Sequence, residues 1–165
     1  MSSQPLPGGS GANAEPLLLP AALRDLAAER RLEKACFPRE DVWPLVESLW
    51  VLIKPGLVRL KLVSSGEMIG FLSGYQQVQG QIGWISSIGI APAWQGRGLG
   101  ARLLSAGERA LGTPLVRLTV RASNARAIRL YGRAGYRQIQ TARGYYVGGE
   151  DGLIFEKETG RVQAL

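Results

Sequence analysis

Hydrophobic and polar residues change rhythm several times along the chain, and each change marks an element. From Pro20 to Cys36 the composition is Ala, Leu, Arg and Glu, a helix-forming mixture that Pro38 ends. A second short helix is expected over Asp41 to Leu49, with Pro44 tolerated in its first turn. Val58, Leu60 and Leu62 then alternate with Arg59 and Lys61, the period-two signature of a half-buried strand. Ser64 to Glu67 reads as a turn, and Met68 to Val78 as a second strand. Gln79-Gly80-Gln81 turns into a third, Ile82 to Ala91. Two connections this short predict an antiparallel meander.

After Pro92 to Gln95 and a glycine-rich loop, the period lengthens to that of a helix. Leu99, Leu103, Ala106 and Ala110 share one face of a helix expected over Leu99 to Leu111, stopped by Gly112, Thr113 and Pro114. Val116, Leu118 and Val120 form the next strand. Ser123 or Asn124 caps a helix reaching Ala134, with Gly135 at its C′ position. Two last strands are expected near Tyr136 to Val147 and Leu153 to Glu158, with Gly148-Gly149 between them. Helices, meander, helix, strand, helix, strands: the order predicts an α/β fold built on one mixed sheet.

Residues 1–16 are rich in Ser, Pro, Gly and Asn and are expected to form a flexible tail, leaving 17–165 as one domain. A chain of 165 residues, 45% hydrophobic and 20% charged, suits that size. The first basic residue is Arg24, so no charged leader precedes Leu17-Leu18-Leu19. The uncharged stretch between Glu67 and Arg97 is broken by glutamines and glycines and does not read as a bilayer span. A soluble, cytoplasmic protein without a membrane partner is the expectation.

Composition narrows the chemistry. A single cysteine, Cys36, leaves no internal disulfide framework and no cysteine-rich zinc site. The chain has no histidine, so the commonest imidazole ligand and neutral-pH base are missing; no metal site is expected. The net charge of +7 is uneven: between Ala91 and Tyr145, ten arginines face only Glu108. That excess suits a polyanion, either nucleic acid or a phosphorylated small molecule, or else a solvated arginine-rich surface.

Gln95-Gly96-Arg97-Gly98-Leu99-Gly100 lies between a strand and a helix. Glycines there let a ligand approach the backbone, and free N–H groups at the helix start suit a pyrophosphate. No Gly-Lys-Ser/Thr follows, which removes a P-loop. A dinucleotide site lacks its ribose-binding acid, because no carboxylate lies between Glu108 and Glu150. A phosphate site is preferred to a purely structural turn.

Ile88-Gly89-Ile90-Ala91-Pro92 followed by that loop resembles the acetyl-CoA signature of the GNAT N-acetyltransferases. Leu118 to Asn124, Ala127-Ile128, Leu130-Tyr131 and Ala134-Gly135-Tyr136 resemble their second conserved block. Gly144-Tyr145-Tyr146 with Glu150-Asp151, and Glu33-x-x-Cys36-Phe37-Pro38, are similar to the ribosomal-protein alanine N-acetyltransferase subgroup. The resemblance spans about Pro20 to Lys157. It implies the GNAT fold: a mixed, mostly antiparallel sheet with splayed central strands, flanked by helices. It implies that the strand at Ile88, Gly89 and Ile90 pairs with the pantetheine arm of acetyl-CoA. Gln95, Gly96, Arg97, Gly98, Leu99 and Gly100 would hold the pyrophosphate, with charge from Arg97 and Arg102. Asn124 would contact the CoA arm, and Tyr131 would protonate the leaving thiolate. The acceptor it implies is a primary amine attacking directly, such as a ribosomal or other protein N-terminus.

Residue chemistry is compatible with these roles. A phenol can donate to a developing thiolate, and an N–H near Ile90 can serve a developing oxyanion. Read without the resemblance, Tyr131 is a core residue of an amphipathic helix and Asn124 a plain N-cap. The subgroup carries a glutamate, its proposed general base, where this chain has Thr119. Threonine cannot deprotonate an ammonium at neutral pH. Three routes stay open: a carboxylate such as Glu150 or Asp151, a water held by Ser86, Ser87 or Thr119, or an acceptor already partly neutral. An α-amine, with its pKa of ~8, suits the last route better than a lysine side chain. Glu150 and Asp151 also read as turn residues, Cys36 as a small buried apolar residue, and Trp84, Trp94 and Phe71 as core or cleft lining. Two other functions remain: acetylation of a small amine such as a polyamine or antibiotic, or RNA or ribosome binding without turnover. An acidic acceptor cleft at Glu67, Glu150 and Asp151 would favour a polyamine.

Overall fold

The computed structural model describes residues 15–38, 56–77 and 79–160. The helix expected over Asp41 to Leu49, and residues 1–14 of the expected tail, lie outside them. The elements run β1 (Leu17–Pro20), α1 (Leu26–Cys36), β2 (Val58–Ser64), β3 (Glu67–Gln77), β4 (Ile82–Ile90), α2 (Leu99–Leu111), β5 (Leu115–Arg121), α3 (Ala125–Arg133), β6 (Arg137–Ala142) and β7 (Gly152–Glu158). The strands form one sheet in the order β1-β2-β3-β4-β5-β7-β6. Every neighbouring pair is antiparallel except β4 and β5. This is the one mixed sheet that the pattern predicts, mostly antiparallel as the resemblance implies, with helices packed against it.

Three boundaries differ from the pattern. Leu17, Leu18 and Leu19 form an edge strand opposite Val63, Leu62 and Lys61, although a run this short shows no period. The amino-terminal helix starts later than Pro20, because Leu23–Asp25 is a 3₁₀ turn in which Asp25 accepts the Ala22 N–H at 2.8 Å. From there Asp25 meets Lys61 at 2.8 Å and Glu29 meets Arg59, tying this segment to β2. The strand expected to Val147 stops at Ala142, since Gly144 turns at a φ of +59° with its N–H on Asp151 at 2.9 Å.

The core lies between α2 and the sheet. Leu99, Leu103, Leu104, Ala106 and Leu111 are buried on α2, whereas Ala110 is exposed. The i+4 row Leu103, Gly107, Leu111 is the one that faces inward. Gly107 permits this, because a Cβ there would stand 2.6 Å from Leu72 Cδ1. Each fully buried leucine contributes ~1.5–3 kcal/mol.

The feature that matters for function is where β4 and β5 part. They pair from Ile82↔Leu115 to Ile85↔Leu118 and no further. On the other side of β4, Ser73 pairs with Ser87 and Gly74 with Ile85, leaving Ser86 as an extra, bulged residue. A bulge bends its strand, and this one sits where the pairing ends. Ser86 Oγ lies 3.1 Å from both Ser73 O and Ser73 Oγ, which secures it. Ala91 donates its N–H to Ile69 O at 2.8 Å, so alternation turns the backbone groups of Ile88 and Ile90 away from β3, toward the gap. No helix among the described residues is long and apolar enough to cross a membrane.

Candidate active site

Two cavities open into the gap, one of about 690 Å³ on the glycine-loop side and one of about 350 Å³ beyond it. Cys36, Phe37, Ile88, Asn124, Ala127 and Tyr131 line both. A ligand crossing from one to the other must pass these six side chains.

The larger cavity is built from β4, the loop and α3. Its walls include Ile88, Gly89, Ile90, Gln95, Gly96, Gly98, Leu99, Gly100, Asn124 and Tyr131, all singled out in the sequence. Gly96 and Gly98 adopt φ of +80° and +77°, a region that side-chain-bearing residues rarely enter. Gly98 also begins α2, and no side chain caps the first-turn amides behind it. Such a helix start attracts an anion. Ile90 O is already engaged, accepting from Gln95 Nε2 at 2.9 Å and Cys36 Sγ at 3.3 Å. Its N–H is directed into the gap.

The charges differ from expectation. Arg97 is not part of the cavity wall: its guanidinium stacks 4.7 Å from the Trp94 ring and donates to Ala93 O at 3.2 Å. Arg102 meets Glu15 at 3.2 Å and Pro16 O at 2.8 Å, so it holds the chain before β1 instead. The arginines on the cavity are Arg126, Arg129 and Arg133 of α3. Their spacing of three and four residues, the mark of one helix edge, was the available signal.

At the junction stands Tyr131, with 5% of its surface exposed and its ring packed on Tyr136 and Phe155 at 5.9 and 6.1 Å. Burial pushes its hydroxyl well above the ordinary phenol range. Asn124 caps α3 by accepting the Ala127 N–H at 3.1 Å, which leaves its amide nitrogen to serve a ligand. Cys36 is a free thiol whose pKa burial raises to about 11, with the Glu33 charge adding to the effect. It is half-buried rather than a core residue.

The smaller cavity is lined by Ser86, Ser87, Thr119, Arg121 and Tyr146, among others. Here the sequence alternatives for a base separate. Glu150 is not on the wall. It accepts the Ser123 N–H at 2.8 Å and meets Arg121 at 2.7 Å, and these contacts, Ser123's first, lower its pKa to about 2. Asp151 is bonded to Gly144 N in the β6–β7 turn. Thr119 lies on this wall, and its Oγ1 is buried with no hydrogen-bond partner among the described residues. Ser86 Oγ is committed to Ser73, whereas Ser87 stands on this wall without such a commitment.

Two cavities that meet at one buried phenol suit the transfer of a group between two bound molecules. The chain belongs to the acetyltransferase (GNAT) family, which it matches over residues 21–136. It is 30% identical over 153 residues to the N-alpha-acetyltransferase RimI of Mycobacterium tuberculosis (strain ATCC 25618 / H37Rv), covering 90% of this chain and 97% of that protein. It is 32% identical over 110 residues to N-alpha-acetyltransferase 20 of Dictyostelium discoideum, covering 62% of this chain and 63% of that protein. The crystal structure of the ribosomal-protein-S18-alanine N-acetyltransferase from Escherichia coli superposes with a TM-score of 0.77 at 25% identity, covering 92% of this chain and 99% of that one. The protein is an acetyl-CoA-dependent N-acetyltransferase.

Proposed function

We propose that the protein acetylates the α-amine of a protein N-terminus, with ribosomal proteins the first acceptors to test. The observation that carries this reading is the sharing of Tyr131 by the two cavities. The pantetheine arm of acetyl-CoA lies along Ile88 and Ile90, and its pyrophosphate on the amides of Gly96 to Gly100. The amine enters through the smaller cavity and attacks the thioester carbonyl directly. The Ile90 N–H faces the developing oxyanion, Tyr131 gives its proton to the departing thiolate, and the proton lost by the acylated nitrogen restores the phenol, leaving an amide and free CoA thiol. Burial keeps that phenol protonated until the sulfur needs it.

Proton removal from the acceptor supports an α-amine. Glu150, Asp151 and Ser86 are each engaged elsewhere, and Ser87 and Thr119 on the wall are hydroxyls, too weakly basic to take a proton from an ammonium. No carboxylate lines the smaller cavity among the described residues. An acceptor that enters neutral needs no base from the enzyme. At pH 7.5 about a quarter of an α-amine is neutral, against about one lysine side chain in a thousand. The relatives named as N-alpha-acetyltransferases support the same acceptor. A polyamine gains no support, because Glu67, Glu150 and Asp151 all lie off the cavity wall. The free thiol suits the reducing cytoplasm, where we place the reaction.

The test is thiol release from acetyl-CoA across a peptide panel with free or blocked amino termini and an internal lysine. Release confined to free amino termini is expected. Equal release from blocked, lysine-bearing peptides overturns the reading.

A further inference from the structure

We propose that Arg129 and Arg133 of α3 form a seat for the 3′-phosphate of CoA, making the enzyme selective for CoA over its 3′-dephospho form. This rests on acetyl-CoA as the occupant of the larger cavity. The loop amides and Arg126 already account for the pyrophosphate. Arg126 donates to Gln95 Oε1, and its Nη2 stands 3.9 Å from where a Cβ on Gly96 would be. Arg129 and Arg133 line the same wall further along the helix. At 1.5 Å rise per residue, Arg133 lies about 10 Å beyond Arg126 along the axis. Arg129 and Arg133 therefore add two further cations to the wall that the glycine loop faces.

The placement costs the helix stability when empty. Arg126 and Arg129 are three residues apart, and Arg129 and Arg133 four, so like charges sit side by side. Arg126 also stands in the first turn, where the helix dipole disfavours a cation. α3 contains no acid, and among the described residues neither Arg129 nor Arg133 has an ion-pair partner. A phosphate monoester carries nearly two charges at pH 7 and offers three acceptor oxygens. Guanidinium groups bind such oxygens in pairs.

The test measures calorimetric affinity for CoA and for 3′-dephospho-CoA, using the full chain and the R129A/R133A double variant. Both side chains are exposed, and a thermal melt confirms that the variant is folded. Wild type is expected to bind CoA at least tenfold more tightly than 3′-dephospho-CoA. The variant should lose that preference by weakening toward CoA alone. Equal affinity of wild type for the two ligands, or equal weakening toward both in the variant, overturns the phosphate seat. Failure of wild type to bind either ligand overturns the cavity's occupant itself, and the two failures are told apart directly.

Discussion

The Cys36 thiol donates a hydrogen bond of 3.3 Å to the carbonyl of Ile90, tying the end of α1 to the last residue of β4. Gln95 donates to the same oxygen at 2.9 Å. With its carbonyl held twice, the Ile90 peptide keeps one orientation, and its N–H stays aimed at the gap. The contact also defines Cys36 as a donor rather than a nucleophile.

Alkylation measures that difference. With a pKa of about 11, Cys36 is thiolate at pH 8 about a hundredfold less often than an ordinary cysteine. Iodoacetamide should label it at least tenfold more slowly than a free cysteine peptide, followed by mass spectrometry. Labelling at the peptide's rate contradicts the assigned contact.

Tyr131→Phe removes the proposed acid and little else. Its ring packing on Tyr136 and Phe155 survives, so the variant should fold and bind acetyl-CoA as wild type does. We expect kcat to fall about 10²–10⁴-fold. Wild-type kcat in this variant removes Tyr131 from the mechanism.

The pH profile follows from the same burial. The neutral acceptor becomes commoner as pH rises, so kcat/KM should climb toward the amine's pKa of ~8 and then level. Tyr131 titrates above the ordinary phenol range, so no falling limb should appear up to pH ~10. A bell centred near neutrality points to a different acid or to an enzyme base.

Thr119→Val separates stability from activity. The hydroxyl oxygen is buried without a partner, and an unsatisfied group of that kind costs about 1–3 kcal/mol. Valine keeps the shape, so the melting temperature should rise by about 2–4 °C for each kcal/mol recovered while kcat stays within about twofold. A drop in kcat comparable to that of Tyr131→Phe restores Thr119 to the proton path.

Glu150→Gln tests an anchor for Ser123 and Arg121. The folded pKa, about 2, lies below the ordinary 4.5, so Glu150 stabilises the fold above pH ~4.5 and loses that contribution as pH falls toward ~2. The variant should melt below wild type at pH 7, with the gap closing across that acidic window. A constant gap at every pH excludes the ionised carboxylate as its cause.

The candidate site was legible in the sequence wherever a residue's role depends on its own neighbours along the chain. The glycines at 96 and 98 announce a left-handed loop, and Asn124 announces a cap that also reaches the cavity. Tyr131 follows at seven residues, two turns along the same face. Arg97 was not legible in this way. It stands inside the loop, yet its guanidinium folds over Trp94 instead of lining the cavity, and nothing local announces that.

By itself the sequence determined most elements, the left-handed glycine loop and the family-like order of Asn124 and Tyr131, because period, glycine conformation and capping are short-range. Only the tertiary structure decided that Ser86 bulges opposite Ser73 and opens the gap, and that Leu17–Pro20 becomes a strand. It alone decided that Glu150 is bound by Arg121 and Ser123, and which arginines face the cavity. These outcomes depend on groups far apart in the chain meeting across the sheet, where distance and burial, not sequence spacing, set the interaction.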